Sequence, residues 1–174
     1  MTNHNLGVVR YFILPVKDRS VTVVHRKGKV LRIDLNQPRL SLSKVAKTAK
    51  QNFPSARRLT DSRIKSELLN YFSGKIEKFH LKYDLPGLTQ FQREVLKETA
   101  RIKWGRFLSY SALAKKLGNS DFRRAVATAL SRNPVPIVIP CHRVINKDGQ
   151  PGGFMGKKDD KTGWKRFLLD IESR

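Results

Sequence analysis

Apolar positions in the first third of the chain come as short β-branched runs. Val8–Leu14, Val21–His25 and Lys29–Leu35 are separated by the turn-forming stretches "PVKDRS" and "RKG", a pattern that predicts a three-stranded antiparallel meander. The period then becomes helical. Ser43–Asn52 is weakly amphipathic, and Asp61–Phe72 places Ile64, Leu68, Leu69 and Phe72 on one face before stopping at Gly74. The stretch "KIEKFHLKYDLPGL" reads as a strand-like connector ending at Pro86-Gly87. That break divides the chain into an N-terminal α/β unit, 1–86, and a C-terminal unit, 87–174.

The second half is patterned for helices. Thr89 with Gln92 three residues on is a capping box, opening a helix to about Ile102 that buries Phe91, Val95, Leu96 and Thr99. "WGRFLSY" turns into a helix over Tyr110–Leu117, closed by Gly118 beyond its end. Asn119 or Ser120 caps a third helix, Asp121 to about Ser131, with Phe122, Ala125, Val126 and Ala129 inward. Joined by "GNS", these two short helices predict a helix-turn-helix, and the alanines at 125, 127 and 129 suit close packing. Pro134, Pro136 and Pro140 then exclude helix, so "VPIVI" is predicted to run extended and buried. A closing helix over Lys161–Glu172, capped by Asp160, aligns Trp164, Phe167, Leu168 and Ile171. The fold class is mixed α/β of the α+β kind: a small antiparallel sheet with helices, then a mostly helical unit.

Composition changes this picture through charge. The 174 residues hold 36 Lys and Arg against 14 Asp and Glu, for a net +22. Such a field repels itself unless a polyanion shares the surface, which makes nucleic acid the leading partner and an anionic membrane surface the second. From Thr99 to Lys147 there are ten basic residues and one acid, Asp121, so the helix-turn-helix shares one positive surface with the proline-rich segment after it. No apolar run approaches the ~20 residues that span a bilayer, and the N-terminus lacks the basic start and cleavage site of a secretory signal. A single cysteine excludes internal disulfides and any zinc site of several thiolates, so no metal or cofactor is expected. A cytoplasmic, nucleoid-associated or nuclear reducing compartment is expected.

That cysteine, Cys141, stands between Pro140 and His142 at the end of the apolar run. A thiol attacks as thiolate, so its pKa has to fall from about 8.5 to be useful at neutral pH. His142 can serve as base, but neighbours on an extended chain point to opposite sides, so a bridging water with a carboxylate behind the imidazole is the arrangement to seek. Glu172 is the candidate carboxylate. The plain alternative is an inert, buried small hydrophobe.

"NPVPIVIPCHRVI" closely resembles the acceptor signature of the O6-alkylguanine-DNA alkyltransferases. The resemblance continues upstream through "LTQFQREVL", "IKWGRFLSYSALAKKLGN" and "RRAVATALSRNP" and downstream through "GGF" and "KRFLLDIE", from Leu88 to Glu172. It implies a ribonuclease-H-like sheet in the N-terminal half and direct-reversal repair by a monomer acting on double-stranded DNA that contains O6-alkylguanine. Cys141 would take the alkyl group irreversibly, a histidine–water–glutamate relay through His142 and Glu172 would hold the thiolate, and Asn133 would brace the site. Tyr110 would protonate the leaving guanine at N3. Arg124 would fill the stack vacated by the flipped base, with Arg123 as a phosphate contact or the alternative finger, and the helix would approach by the minor groove. Gln92, Ser111, Asn119 and Lys147 fall at phosphate-contact positions. Carbonyls of Cys141 and Val144 would accept from the guanine amine, and Phe154 would wall the base.

Two departures qualify the match. Phe154-Met155 stands where many members have Tyr-Ser, which removes hydroxyls and lets Met155 narrow the pocket, and "SDFRR" replaces the usual Ser-Pro-Arg start of the recognition helix. A non-catalytic flagging relative is disfavoured because the cysteine is present. A major-groove regulator is disfavoured because the helix of Ala, Val, Thr and Arg is poor in base-reading side chains. A zinc-bound phosphotriester sensor lacks the thiols.

Overall fold

The computed structural model describes residues 7–36, 41–156 and 163–173. The meander forms with β1 (Arg10–Val16), β2 (Arg19–Arg26) and β3 (Lys29–Leu35), Arg10 opposite His25 and Val21 opposite Leu35. Two-residue strands pair in parallel at its edges: β4 (Arg57–Arg58) on β1 and β5 (Lys82–Tyr83) on β3. Strands this short leave no periodicity to read.

The central strand is buried on both faces from Ser20 to His25, its valines interleaved with the buried polar residues Ser20, Thr22 and His25. Val21 and Val23 join the main core, while Val24 and Tyr11 pack on the other side with Ala49 of α1 (Leu42–Asn52). Helix α2 (Ser62–Phe72) starts at Asp61, whose carboxylate accepts from the Ile64 amide. Its buried face is Ile64, Leu68 and Tyr71, and Leu69 is 43% exposed. Tyr71 thus takes the inward place expected of Leu69, because positions 64, 68 and 71 lie one turn apart, while Phe72 is half-buried against the same core.

In the C-terminal half, α3 (Gln90–Ala100) opens on the expected capping box, with both reciprocal hydrogen bonds present. After β6 (Leu108–Ser109), α4 (Tyr110–Lys116) is capped by Ser109. A 3-10 turn, Ser120–Phe122, capped by Asn119, leads into α5 (Arg123–Ser131). Here the inward face is Val126, Ala129 and Leu130; Phe122 is 41% exposed and Ala125 and Ala127 face out. Val126 and Ala129 are inward as expected, whereas the 3-10 turn delays the helix start and leaves Phe122 and Ala125 outside the buried face. The last helix, α6 (Trp164–Glu172), begins after Gly163 in the left-handed region; Asp160 and Lys161 lie outside the described residues.

The two halves share one hydrophobic core that includes Phe12, Val23, Leu68, Leu96, Val126 and Leu168. Hydrogen bonds cross it as well. The Ile33 amide donates to the Pro134 carbonyl at 2.8 Å, and the Trp164 indole donates to the Asn36 carbonyl at 2.7 Å. The meander therefore supports both the segment leading to Cys141 and the helix carrying Glu172.

Candidate active site

The proline-rich approach to Cys141 is folded back on itself, not extended. Prolines at 134, 136 and 140 leave too few amides for a sheet ladder, so the chain closes local turns: Ile139 donates to Val135, Cys141 to Ile139 and Arg143 to Pro140. Ile137 is held at φ 76°, an uncommon setting for a β-branched residue. Cys141–Arg143 form a single 3-10 turn, after which β7 (Val144–Ile145) pairs with β6.

Asn133 fastens this turn. Its Nδ2 donates to the Ile139 carbonyl at 2.9 Å and lies 3.2 Å from Cys141 Sγ, while its Oδ1 accepts from the Val135 amide. The cysteine is 4% exposed. Burial pushes the thiol up, and the Asn133 hydrogen bond, the Lys165 charge and backbone amides only partly oppose this. The free site thus holds a protonated thiol, not the lowered pKa expected of a standing thiolate.

Behind the sulfur lies a sealed polar cluster. His142 Nε2 is 2.8 Å from Glu172 Oε1, and Arg143 grips the same carboxylate through Nε to Oε2 at 2.8 Å and Nη2 to Oε1 at 2.9 Å. Arg143 Nη1 also donates to the Ile102 carbonyl. Tyr71, 101 residues away in the chain, donates its hydroxyl to Glu172 Oε1 at 2.7 Å. Burial would raise the Glu172 carboxyl, but hydrogen bonds from His142 and Arg143 and their charges outweigh it and hold it at about 2. Glu172 is therefore an ionised acceptor, so Nε2 facing it carries a proton. His142 itself is lowered, by burial first, and is neutral. Its Nδ1 lone pair is left available, buried and without a protein partner among the described residues.

In front of the sulfur is a cavity of about 440 Å³ lined by Cys141, Tyr110, Arg123, Arg124, Phe154 and Met155, among others. The Tyr110 hydroxyl donates to the Gly153 carbonyl at 3.3 Å; burial and then the Cys141 charge raise it to about 12, so it keeps its proton. Met155 has φ 50°, next to Gly156 at 80°. Lys165 is wholly buried at the edge of this wall, its ammonium 2.7 Å from the Val144 carbonyl, 3.2 Å from that of Gly153 and 3.4 Å from the Tyr110 hydroxyl.

Not every residue singled out from sequence stands where its role needs it. Val144 is fully buried, and its carbonyl is engaged by Lys165; the Cys141 carbonyl accepts from the Val144 amide. These carbonyls are not the free acceptors an extended segment would offer, because the 3-10 turn and Lys165 already occupy them. Gln92 is buried, with its Oε1 taken by the Thr89 amide, which gives it a helix-capping role rather than a phosphate contact. Ser111 shares a hydrogen bond with Ser109, Asn119 caps the Asp121 amide, and Lys147 is exposed beyond the cavity. Conversely, sequence reasoning passed over Tyr71, Arg143, Lys165 and Asn146, which also lines the cavity. A signal existed for Lys165, a cation three residues before Leu168 and seven before Glu172, on the inward stripe of α6.

Comparisons with known proteins agree with this geometry. Residues 90–174 match the family model "6-O-methylguanine DNA methyltransferase, DNA binding domain". A methylated-DNA--protein-cysteine methyltransferase of Methanosarcina barkeri is 42% identical over 106 residues, 61% of this chain and 64% of that protein; the chain thus spans less than two thirds of that relative. The inducible methylated-DNA--protein-cysteine methyltransferase of Bacillus subtilis is 34% identical over 175 residues, 98% of this chain and 93% of that protein. Among solved structures, Mycobacterium tuberculosis OGT in complex with DNA superposes with a TM-score of 0.74 at 27% identity, covering 95% of this chain and 92% of that one.

Proposed function

The chain belongs to the methylated-DNA--protein-cysteine methyltransferase family, and from that premise we propose that it repairs O6-alkylguanine in duplex DNA by moving the alkyl group onto Cys141, once per molecule. The observation that supports this most directly is that Cys141 lines an open cavity while the next residue, His142, is hydrogen-bonded to the buried Glu172.

The protein binds as a monomer through the helix-turn-helix of α4 and α5, whose exposed Arg123 and Arg124 border the cavity mouth. The target base turns out of the helix into the cavity, and Arg124 occupies its place in the stack. Phe154 lies along the flipped ring, and Met155 limits the room for bulky adducts. The thiol proton passes through a water to the Nδ1 lone pair of His142, whose Nε2–H remains on Glu172. Sγ then attacks the alkyl carbon in line, the bond from that carbon to O6 breaks, and its electron pair leaves with the guanine. Tyr110 delivers a proton to N3, and the imidazolium proton restores the phenol. On balance the thiol hydrogen has moved to guanine and the alkyl group to sulfur, leaving a thioether that nothing in the site can reverse.

Transfer of a labelled methyl group from duplex DNA containing O6-methylguanine to protein tests this reading. The parent chain is expected to take up label and Cys141→Ala none, while the variant still binds DNA. Retained labelling in Cys141→Ala would contradict the assignment.

A further inference from the structure

The relay and its charge balance account for three of the four side chains in the buried cluster, His142, Arg143 and Glu172, and leave the fourth without a task. Tyr71 belongs to α2 in the N-terminal half, yet its hydroxyl reaches the carboxylate on which the C-terminal chemistry depends. Packing fixes how it does so. Its ring is fully buried, edge-on to Phe72 and Trp104 at 5.5 and 5.3 Å between centroids and tilted on Phe79 at 5.0 Å. A ring held on three sides leaves its hydroxyl one direction to point.

The direction matters because the two oxygens of Glu172 are loaded unequally. Oε2 accepts from Arg143 Nε, whereas Oε1 accepts from Arg143 Nη2, from His142 Nε2 and from Tyr71. The oxygen that steadies the imidazole is the one Tyr71 shares. Its hydroxyl has one proton to give and gives it to Glu172, so its 3.3 Å approach to His142 Nε2 puts a lone pair beside the Nε2–H. Arg143 already neutralises the carboxylate and grips both oxygens, so Tyr71 is not needed to hold the charge. What it can change is how strongly Oε1 draws on the imidazole proton.

We propose that Tyr71 is a positioning residue for alkyl transfer: by occupying Glu172 Oε1 it sets how strongly the carboxylate supports His142, and so how readily Nδ1 takes the thiol proton. This rests on the alkyl-transfer reading above and gives the N-terminal half a part in the chemistry beyond its core. Burial first, and the Glu172 charge second, keep the Tyr71 phenol far above its ordinary range, so it donates at every working pH. The other charged or titratable groups around the bond are Glu172 and Lys165 on α6 and Cys141, His142 and Arg143 on the 3-10 turn.

Removing the donor leaves Oε1 with more density for His142, which makes the imidazole a stronger base. Transfer requires the neutral ring, so the acid limb of the rate profile marks its titration. In Tyr71→Phe that limb is expected to move up by about half to one pH unit, because the stronger base holds its proton to higher pH. Phe79→Leu trims the same packing and leaves the hydroxyl in place; it should lower thermal stability with the limb unmoved. Site-specific 3-fluorotyrosine at position 71 keeps ring and hydroxyl but donates more strongly, so its limb should move down. That third protein carries the test if Tyr71→Phe does not fold. An unmoved limb in Tyr71→Phe or in the fluorinated protein, or a limb that moves equally in Phe79→Leu, would overturn the proposal while leaving the parent reaction intact. Absence of transfer by the parent chain would overturn both.

Discussion

The wall behind Cys141 and the mouth in front of it treat polar groups in opposite ways. Behind, His142 and Glu172 are inaccessible to solvent, Arg143 nearly so, and the carboxylate takes four donor contacts from three residues of two distant chain segments. In front, Arg123 and Arg124 stand exposed on a short helix whose outward face also includes Ala125 and Ala127. A group that must exchange a proton with one sulfur benefits from fixed geometry and low dielectric. Groups that must meet a long, flexible polyanion benefit from reach and positive field. The contrast separates what makes the sulfur reactive from what brings the substrate to it, and variants on the two sides should therefore fail differently.

The largest expected effect is behind. Glu172→Gln leaves Arg143 buried without its carboxylate, which costs on the order of 3–5 kcal/mol of stability, and should reduce methyl transfer to near background. Chemical denaturation and single-turnover labelling read the two losses. The same carboxyl sets a pH signature. Held at about 2 in the folded protein against an ordinary 4.5, it contributes stability that is complete above pH 4.5 and is lost as pH falls towards 2, because the unfolded chain binds the proton first. That portion of the acid slope should vanish in Glu172→Gln; an unchanged slope would place the carboxylate outside the linkage.

Next comes the mouth. Arg124→Ala should weaken reaction with duplex DNA by a few kcal/mol, the usual scale of base extrusion, with little change in reaction with the free modified base and little change in stability. Equal losses on both substrates would move Arg124 out of the finger role, and the same pair of assays on Arg123→Ala decides between the neighbours. Smallest is Gln92→Ala, which removes half of a capping box and should cost about 1 kcal/mol of stability without altering DNA affinity. A fall in affinity alone would return Gln92 to the DNA surface.

How much of this could be read beforehand depends on the range over which each feature is encoded. The meander, the capping box at Thr89 and the order of helices are local, and their residues announce them. Val126 and Ala129 of α5 face inward as their spacing predicts, but Phe122 and Ala125 do not, since a 3-10 turn at Ser120–Phe122 delays the helix start and no local spacing shows that. Pro134, Pro136 and Pro140 correctly excluded helix, yet excluding helix did not make the segment extended: chains short of amides also close turns. His142 and Glu172 could be paired in advance because an imidazole base calls for a carboxylate behind it, and the family resemblance then linked the same two residues. Tyr71 could not, since it acts across the core from a segment whose own periodicity records only that it is buried, whereas Lys165 left a signal as a cation on the inward stripe of α6.

The central claim is that Cys141 is consumed by an alkyl group taken from DNA, and intact-mass measurement tests it most directly. After incubation with duplex DNA containing O6-methylguanine, the protein should gain the mass of one CH2 per molecule, mapped by fragmentation to Cys141 and absent with unmodified DNA. An unchanged mass beside intact O6-methylguanine, or a methyl group on another residue, would contradict it.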